Sequence, residues 1–446
     1  MRLNRSKFVL SGAALVVSGI AFSVPPAAVA AQCASTQIDM GRWSAVEMTA
    51  SPSLPELGSS AIVASTVVGQ DPSVVLATDG ISVFRSTDGG CTWRTTYTMG
   101  AADYWSGGGI ASAYSITSIV DNHSAAPANR HVIYLALSPN QLNVFTFVTL
   151  FGAAPPELFA VSNDGGQTFA LVQSAPTVAT PIVPECLSPP TAVVVPPANS
   201  RTIYLQCGGG LAQGAVDDEL AGGGPSYIYR SDDGGRSWSL QSLPTYPQYS
   251  GTWFVPGPKP KELWMVGGWM RPNSHSEYLA VWHTTDNGAH WSMSTPAGKP
   301  GVGIGSTGIS VDMTSGGGRG ERVVTYAPIG VYETIDSGKH WTKLSGIDLA
   351  NTDETPVFAF FVKRSTYVLT TKTFGCNPGA AIRRYAGPAA KPVKAPFPNR
   401  WGSYFSWGAG GSFAVVDSGS LAFGYATLCS PSGAAETSRF LTFRPR

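Results

Sequence analysis

Asp88, Asp164, Asp233, Asp286 and Asp336 each stand two residues after a Ser or Thr and four residues before a Thr, Ser or His. A carboxylate bracketed by hydroxyls or imidazoles is raw material for a cation site, for acid–base work or for a hydrogen-bonded turn. The five aspartates belong to one recurring octet: STDGGCTW at 86–93, SNDGGQTF at 162–169, SDDGGRSW at 231–238, TTDNGAHW at 284–291 and TIDSGKHW at 334–341. The glycine at position five and the aromatic at position eight recur as faithfully as the acid. Asp-Gly, Asn-Gly and Ser-Gly centres belong to tight turns whose backbone must reach positive φ. The Asp before such a turn can accept backbone N–H groups, and the aromatic can plug the space beside the returning strand. Every part thus has a structural use, including His290 and His340 at position seven, and the octet is expected to be scaffolding.

Other chemistry is thinly represented. Asp121 and Asp312 lie in or just after expected innermost strands and form the one carboxylate pair worth testing for glycoside hydrolysis. The sequence has no G-x-S-x-G elbow, no H-E-x-x-H and no phosphate-cradling loop followed by a helix. No metal-ligand or cofactor set emerges from spacing alone, so none is expected.

The elements that must position these residues are strands. Apolar runs such as SVFRST, LFAVSN, SYIYRS, LAVWHT and GVYETI lead into the octets, and WRTTY, FALVQ, WSLQS, WSMST and WTKLS leave them. Upstream lie VVLATD, VIYLAL, TIYLQC, ELWMVG and RVVTYA, preceded in turn by SITSIVD, TAVVVPP, GTWFVPG and GISVDM. The unit is four strands with the octet between the third and fourth, and octet starts fall 76, 69, 53 and 50 residues apart. Such a unit is a β-propeller blade, with insertions stretching the early copies.

The octet resembles the Asp-box, or bacterial neuraminidase repeat, Ser-x-Asp-x-Gly-x-Thr-Trp. The resemblance runs over residues 73–346, and the copy at 86–93 fits at every fixed position. It is shared by sialidases, sortilin-type receptor ectodomains, xyloglucanases and photosystem II assembly-factor-like propellers. It implies an all-β chain, a β-propeller of four-stranded antiparallel blades, with the octets on the side away from the ligand. PVFAFFVKR, TYVLTTKTF and AIRRYA would supply a sixth blade without an octet. WGSYFSWG, SFAVVDS, LAFGYATL and RFLTFRP would supply a seventh, with RWSAVEM at 42–48 closing the ring. Seven blades is the first choice and six the alternative.

Composition agrees with strands and turns: 51 glycines, 34 prolines and 13% charged residues, about half the typical fraction. A net charge of +1 and the absence of a basic run argue against nucleic-acid binding. Residues 1–30 read as a secretory signal, with Arg2, Arg5 and Lys7 before an apolar run and small residues at Ala28 and Ala30. The mature chain, 31–446, is then expected to be one secreted or cell-surface domain without a membrane span. Gln32 before Cys33 argues against lipidation. Six cysteines, at 33, 91, 186, 207, 376 and 429, point to disulfides in an exported protein. Cys186–Cys207 and Cys376–Cys429 are the pairings the blade scheme favours among the many possible.

A ligand is expected opposite the octets, where the second-to-third strand turns at 138–157, 208–225 and 267–278 meet the link at 100–112. The candidates there are Tyr104, Trp105, Asp217, Asp218, Glu219, Trp269, Arg271, His275 and Glu277, and a glycan or protein would be the partner. Sialidase-type hydrolysis would need an arginine cluster, yet 60–80 contains no arginine and Arg130, Arg201 and Arg271 form no evident triad. The reading is a non-catalytic binding or interaction module; the alternative is a sialidase-like or xyloglucanase-like glycoside hydrolase.

Overall fold

The computed structural model describes residues 37–39, 43–47, 64–69, 71, 73–89, 92–99, 114–122, 131–139, 158–172, 190–194, 201–209, 224–241, 253–270, 276–300, 308–313, 315, 320–347, 354–362, 364–372, 381–396, 414–415, 422–429 and 435–445. Every regular element among them is a strand, and no described helix is long and apolar enough to cross a membrane. The described strands form six four-stranded antiparallel meanders and one five-stranded antiparallel sheet. In chain order the first sheet spans 64–98, the second 114–172, the third 190–240, the fourth 253–294, the fifth 308–343 and the sixth 354–396.

Position within a sheet follows from how much of each strand can be covered. The second strand of the first sheet, Val75–Thr78, is buried throughout, whereas the fourth, Arg94–Thr98, is largely exposed. A strand sandwiched between two neighbouring sheets must be apolar on both faces, while an outer strand needs only one. The cores accordingly lie between sheets rather than within one. Leu76 and Val83 of the first sheet pack with Ile133 and Leu135 of the second. Tyr204 and Ile228 of the third pack with Phe254 and Trp282 of the fourth. Each large apolar side chain buried this way contributes roughly 1.5–3 kcal/mol.

The first strands touch in succession. Ala64–Val67 meets Tyr114–Asp121, then follow Pro190–Val194, Trp253–Pro256, Gly308–Val311, Glu354–Val362 and Ala414–Val415, and the last returns to Ala64–Val67. This circular order of inner strands is the architecture of a β-propeller. The remaining sheet joins both ends of the described chain: Trp43–Glu47 pairs with Ala435–Pro445, from Trp43↔Pro445 to Glu47↔Leu441. Trp43–Glu47 of the RWSAVEM segment thus pairs with the last sheet as expected, and Arg42 and Met48 lie outside the described residues. Gln37–Asp39 adds a fifth, outer strand that was not anticipated. WGSYFSWG lies outside the described residues, and the inner strand of this sheet is Ala414–Val415, within SFAVVDS. The sixth sheet gains a fourth strand, Val393–Pro396, also unforeseen. Residues 1–30 and the partners of both expected disulfides, Cys186 and Cys376, lie outside the described residues, as do Cys33 and Cys91.

Candidate functional site

Each octet aspartate is consumed by its own turn. The hydroxyl at position one donates to the carboxylate at 2.7–2.8 Å in all five: Ser86 to Asp88, Ser162 to Asp164, Ser231 to Asp233, Thr284 to Asp286 and Thr334 to Asp336. The backbone N–H at position seven donates to the same oxygen, at 2.9 Å from Thr92 and 3.0 Å from Thr168. Position seven then closes on the second oxygen: Thr92, Thr168 and Ser237 by hydroxyl, His290 and His340 by Nδ1 at 2.7 and 2.6 Å. The two histidines are therefore substitutes for threonine. At Asp233 and Asp336 burial opposes ionisation, but these hydrogen bonds outweigh it and bring each carboxyl down to about 2. The His290 backbone and side chain hold Asp286 still further below its ordinary value.

The turns also staple neighbours. The N–H at position four donates to the carbonyl just ahead of the second strand: Gly89 to Ser73, Gly165 to His131, Gly234 to Arg201, Asn287 to Lys261 and Ser337 to Glu321, at 2.8–3.1 Å. Arg85 Nε reaches from the first sheet to the carbonyl of Gly165 in the second, at 2.9 Å. In the second and third sheets position five is forced to be glycine twice over, by φ and by packing. Gly166 and Gly235 have φ of +79° and +92°, and a Cβ there would meet Leu76 at 2.6 Å and Phe159 at 2.9 Å, each a side chain of the preceding sheet. The left-handed Asn287 and Ser337 recover their backbone cost through side-chain bonds, Asn287 Oδ1 accepting from Tyr204 and Ser337 Oγ donating to Glu321.

Asp121, the first hydrolase candidate, is buried. Its Oδ1 lies 2.9 Å from His131 Nδ1 and its Oδ2 accepts the Gly69 N–H at 3.0 Å. Asp312 is nearly buried; its N–H donates to the Arg322 carbonyl and its own carbonyl accepts from Ser315 N and Oγ. In a four-stranded meander the first-to-second and third-to-fourth turns share one end. Both acids close first strands, so both lie at the octet end, opposite the loops expected to bind ligand. They belong to the second and fifth sheets, whose first strands are not neighbours in the ring.

On the loop side, Trp269 and Glu277 stand on adjacent strands of the fourth sheet, in the register Trp269↔Tyr278 and Met270↔Glu277. The Trp269 and Tyr278 rings lie 5.5 Å apart, and Trp269 packs onto the core shared by the third and fourth sheets. Glu277 folds over Gly268, where a Cβ would meet its Oε1 at 2.0 Å. Tyr104, Trp105, Asp217, Asp218, Glu219, Arg271 and His275 lie outside the described residues.

Sequence reasoning missed one convergence: Glu262, His283 and Glu321, whose ligand-type atoms lie within 4.8 Å of one another. A faint signal exists for Glu321 alone. The residue whose carbonyl takes the octet's fourth N–H is polar in all five copies, Ser73, His131, Arg201, Lys261 and Glu321, which marks that station as more than strand.

No family model and no curated protein sequence matches the chain. Similar solved structures include YCF48 from Cyanidioschyzon merolae, at 12% identity and TM-score 0.48, covering 90% of this chain and 98% of that one. An ancestral GH74 enzyme is 19% identical with TM-score 0.45, covering 75% of this chain, which spans only 40% of the enzyme's length. The GH74 xyloglucanase from Xanthomonas campestris is 13% identical with TM-score 0.42, covering 80% of this chain and 55% of its own.

Proposed function

We propose that the chain is an exported, non-catalytic propeller of the Asp-box type with seven blades. Its role is to present a binding surface for a glycan or protein segment on the loop side, opposite the octets. The observation that carries this reading is the use of the acids. All five octet aspartates and Asp121 spend their oxygens on hydrogen bonds that hold turns and sheets together. A carboxylate that must act as nucleophile or acid needs access to substrate and freedom to exchange a proton. Trp269, half-buried beside Tyr278 and anchored by the core, supplies the kind of fixed aromatic surface on which a sugar face or a side chain can stack.

A panel of glycans, peptides and aryl glycosides, scored for both binding and turnover, tests this. Saturable binding without turnover, weakened by Trp269→Ala, supports the module. Turnover abolished by Asp312→Asn would replace it with a glycoside hydrolase.

A further inference from the structure

At the octet end of the seam between the fourth and fifth sheets, three side chains converge from three separate stations. Glu262 precedes the strand Leu263–Met270, His283 lies on the adjoining strand opposite Trp264, and Glu321 comes from the equivalent hairpin of the fifth sheet. Both carboxylates are buried, Glu262 completely and Glu321 to within 3%. His283 Nε2 sits 2.7 Å from Glu262 Oε1, and its ring is clamped by stacking on Trp264 at 3.9 Å and 15°. Gly257 leaves the room, since a Cβ there would stand 2.4 Å from Glu262 Cγ.

The cluster is unbalanced as it stands. Glu262 Oε2 is buried and makes no hydrogen bond among the described residues. Its two oxygens share one carbon, so this orphan acceptor belongs to the same cluster. Lys259 bonds Glu321 Oε1 and Ser337 bonds Glu321 Oε2, so with a neutral His283 imidazole one ammonium faces two buried carboxylates. Such an arrangement is costly unless a further positive charge arrives. Lys259 is the most exposed member, 54% accessible against 14% for His283, and can swing away without disturbing the core.

We propose that Glu262, His283 and Glu321 bind a divalent transition-metal ion across the seam, and that Lys259 holds the cation position when the metal is absent. The imidazole favours an ion of the zinc type over magnesium or calcium, which prefer oxygen alone. Ligand distances near 2.0–2.2 Å in a tetrahedral shell set ligand atoms roughly 3.3–3.6 Å apart, so on loading the widest pair closes by at most about 1.5 Å while the 2.7 Å Glu262–His283 pair opens. Ligation needs the Nε2 lone pair, so the neutral ring gives up its Nε2 proton to solvent and takes one at Nδ1, remaining neutral. The bound ion would tie the two sheets together, a structural centre with no required link to a ligand on the loop side.

The full chain, stripped with chelator, is titrated with zinc alone and with magnesium alone by calorimetry, and its thermal midpoint is followed. His290→Ala/His340→Ala serves as background to remove exposed imidazoles. One saturable equivalent of zinc and a raised midpoint are expected, with no response to magnesium. Glu262→Gln and His283→Gln should each weaken zinc at least about tenfold. Lys259→Met, an exposed change that leaves every ligand in place, should tighten it. Absence of saturable zinc binding, or zinc affinity in both ligand variants equal to that of the parent, overturns the proposal. If those variants fail to fold, zinc affinity in Lys259→Met that is unchanged or weaker overturns it on its own.

Discussion

Asp121 Oδ1 lies 2.9 Å from His131 Nδ1 with both side chains buried, while Asp121 Oδ2 takes the amide hydrogen of Gly69 from the neighbouring sheet. One carboxylate thereby fixes an imidazole and bridges two sheets. Asp121→Ala leaves that imidazole and that amide without their acceptor, and should cost about 3 kcal/mol of stability. Asp121→Asn keeps an acceptor for Gly69 and should cost less. Denaturant midpoints measure both. An alanine variant as stable as the parent would show that the acid is not holding the seam.

Two adjacent glycines separate backbone strain from packing. Gly234 and Gly235 have similar φ, +78° and +92°, but a Cβ at Gly234 meets nothing within 4 Å whereas one at Gly235 meets Phe159 at 2.9 Å. Gly234→Ala should cost only the left-handed penalty of about 1–2 kcal/mol. Gly235→Ala adds a clash with an aromatic of the preceding sheet and should cost clearly more, by about 1–3 kcal/mol. Equal urea midpoints for the two variants would contradict the close packing of Gly235 against the preceding sheet.

Asp233 and Asp336 set an acid limit. Their folded carboxyls lie at about 2, below an unfolded value near 3.9. A depressed folded value gives stability that is fully present above about 4 and is lost as pH falls toward 2. Equilibrium unfolding between pH 6 and 2 should therefore steepen below 4. Asp233→Ser/Asp336→Ser should be less stable at pH 6 and show a shallower fall below 4. A parallel curve for the double variant would remove the octet acids as its cause.

The octets were legible because one local hydrogen-bond pattern is written five times over eight residues. His290 and His340 were readable for the same reason, since their roles follow from position seven alone. Glu262, His283 and Glu321 were not, because they meet only once two sheets are in register across a seam. Nothing in the spacing of 262, 283 and 321 announces that. Asp121 shows the intermediate case: its place at the end of an inner strand was readable, but its partner depends on how RHVIYL folds back on SITSIVD. Strand polarity then put it at the octet end rather than among the loops.

Ring closure is the feature most exposed to a direct trial. Trp43–Glu47 fills the gap between Ala435–Pro445 and the outer strand Gln37–Asp39, so its backbone pairs on both sides. Ala45 stands opposite Phe443 on one side and Ile38 on the other. A proline there removes a backbone donor and strains the ladder in the interior of a sheet, where proline is poorly tolerated. Ala45→Pro should detach this segment and bare the edge of Ala435–Pro445, an invitation to edge-to-edge pairing. Lowered thermal stability together with concentration-dependent association, seen by light scattering, is the expected result. Deleting residues 31–47 should reproduce both effects. A truncated chain that stays monomeric and melts like the parent would mean that the sheet holds together without its N-terminal strand.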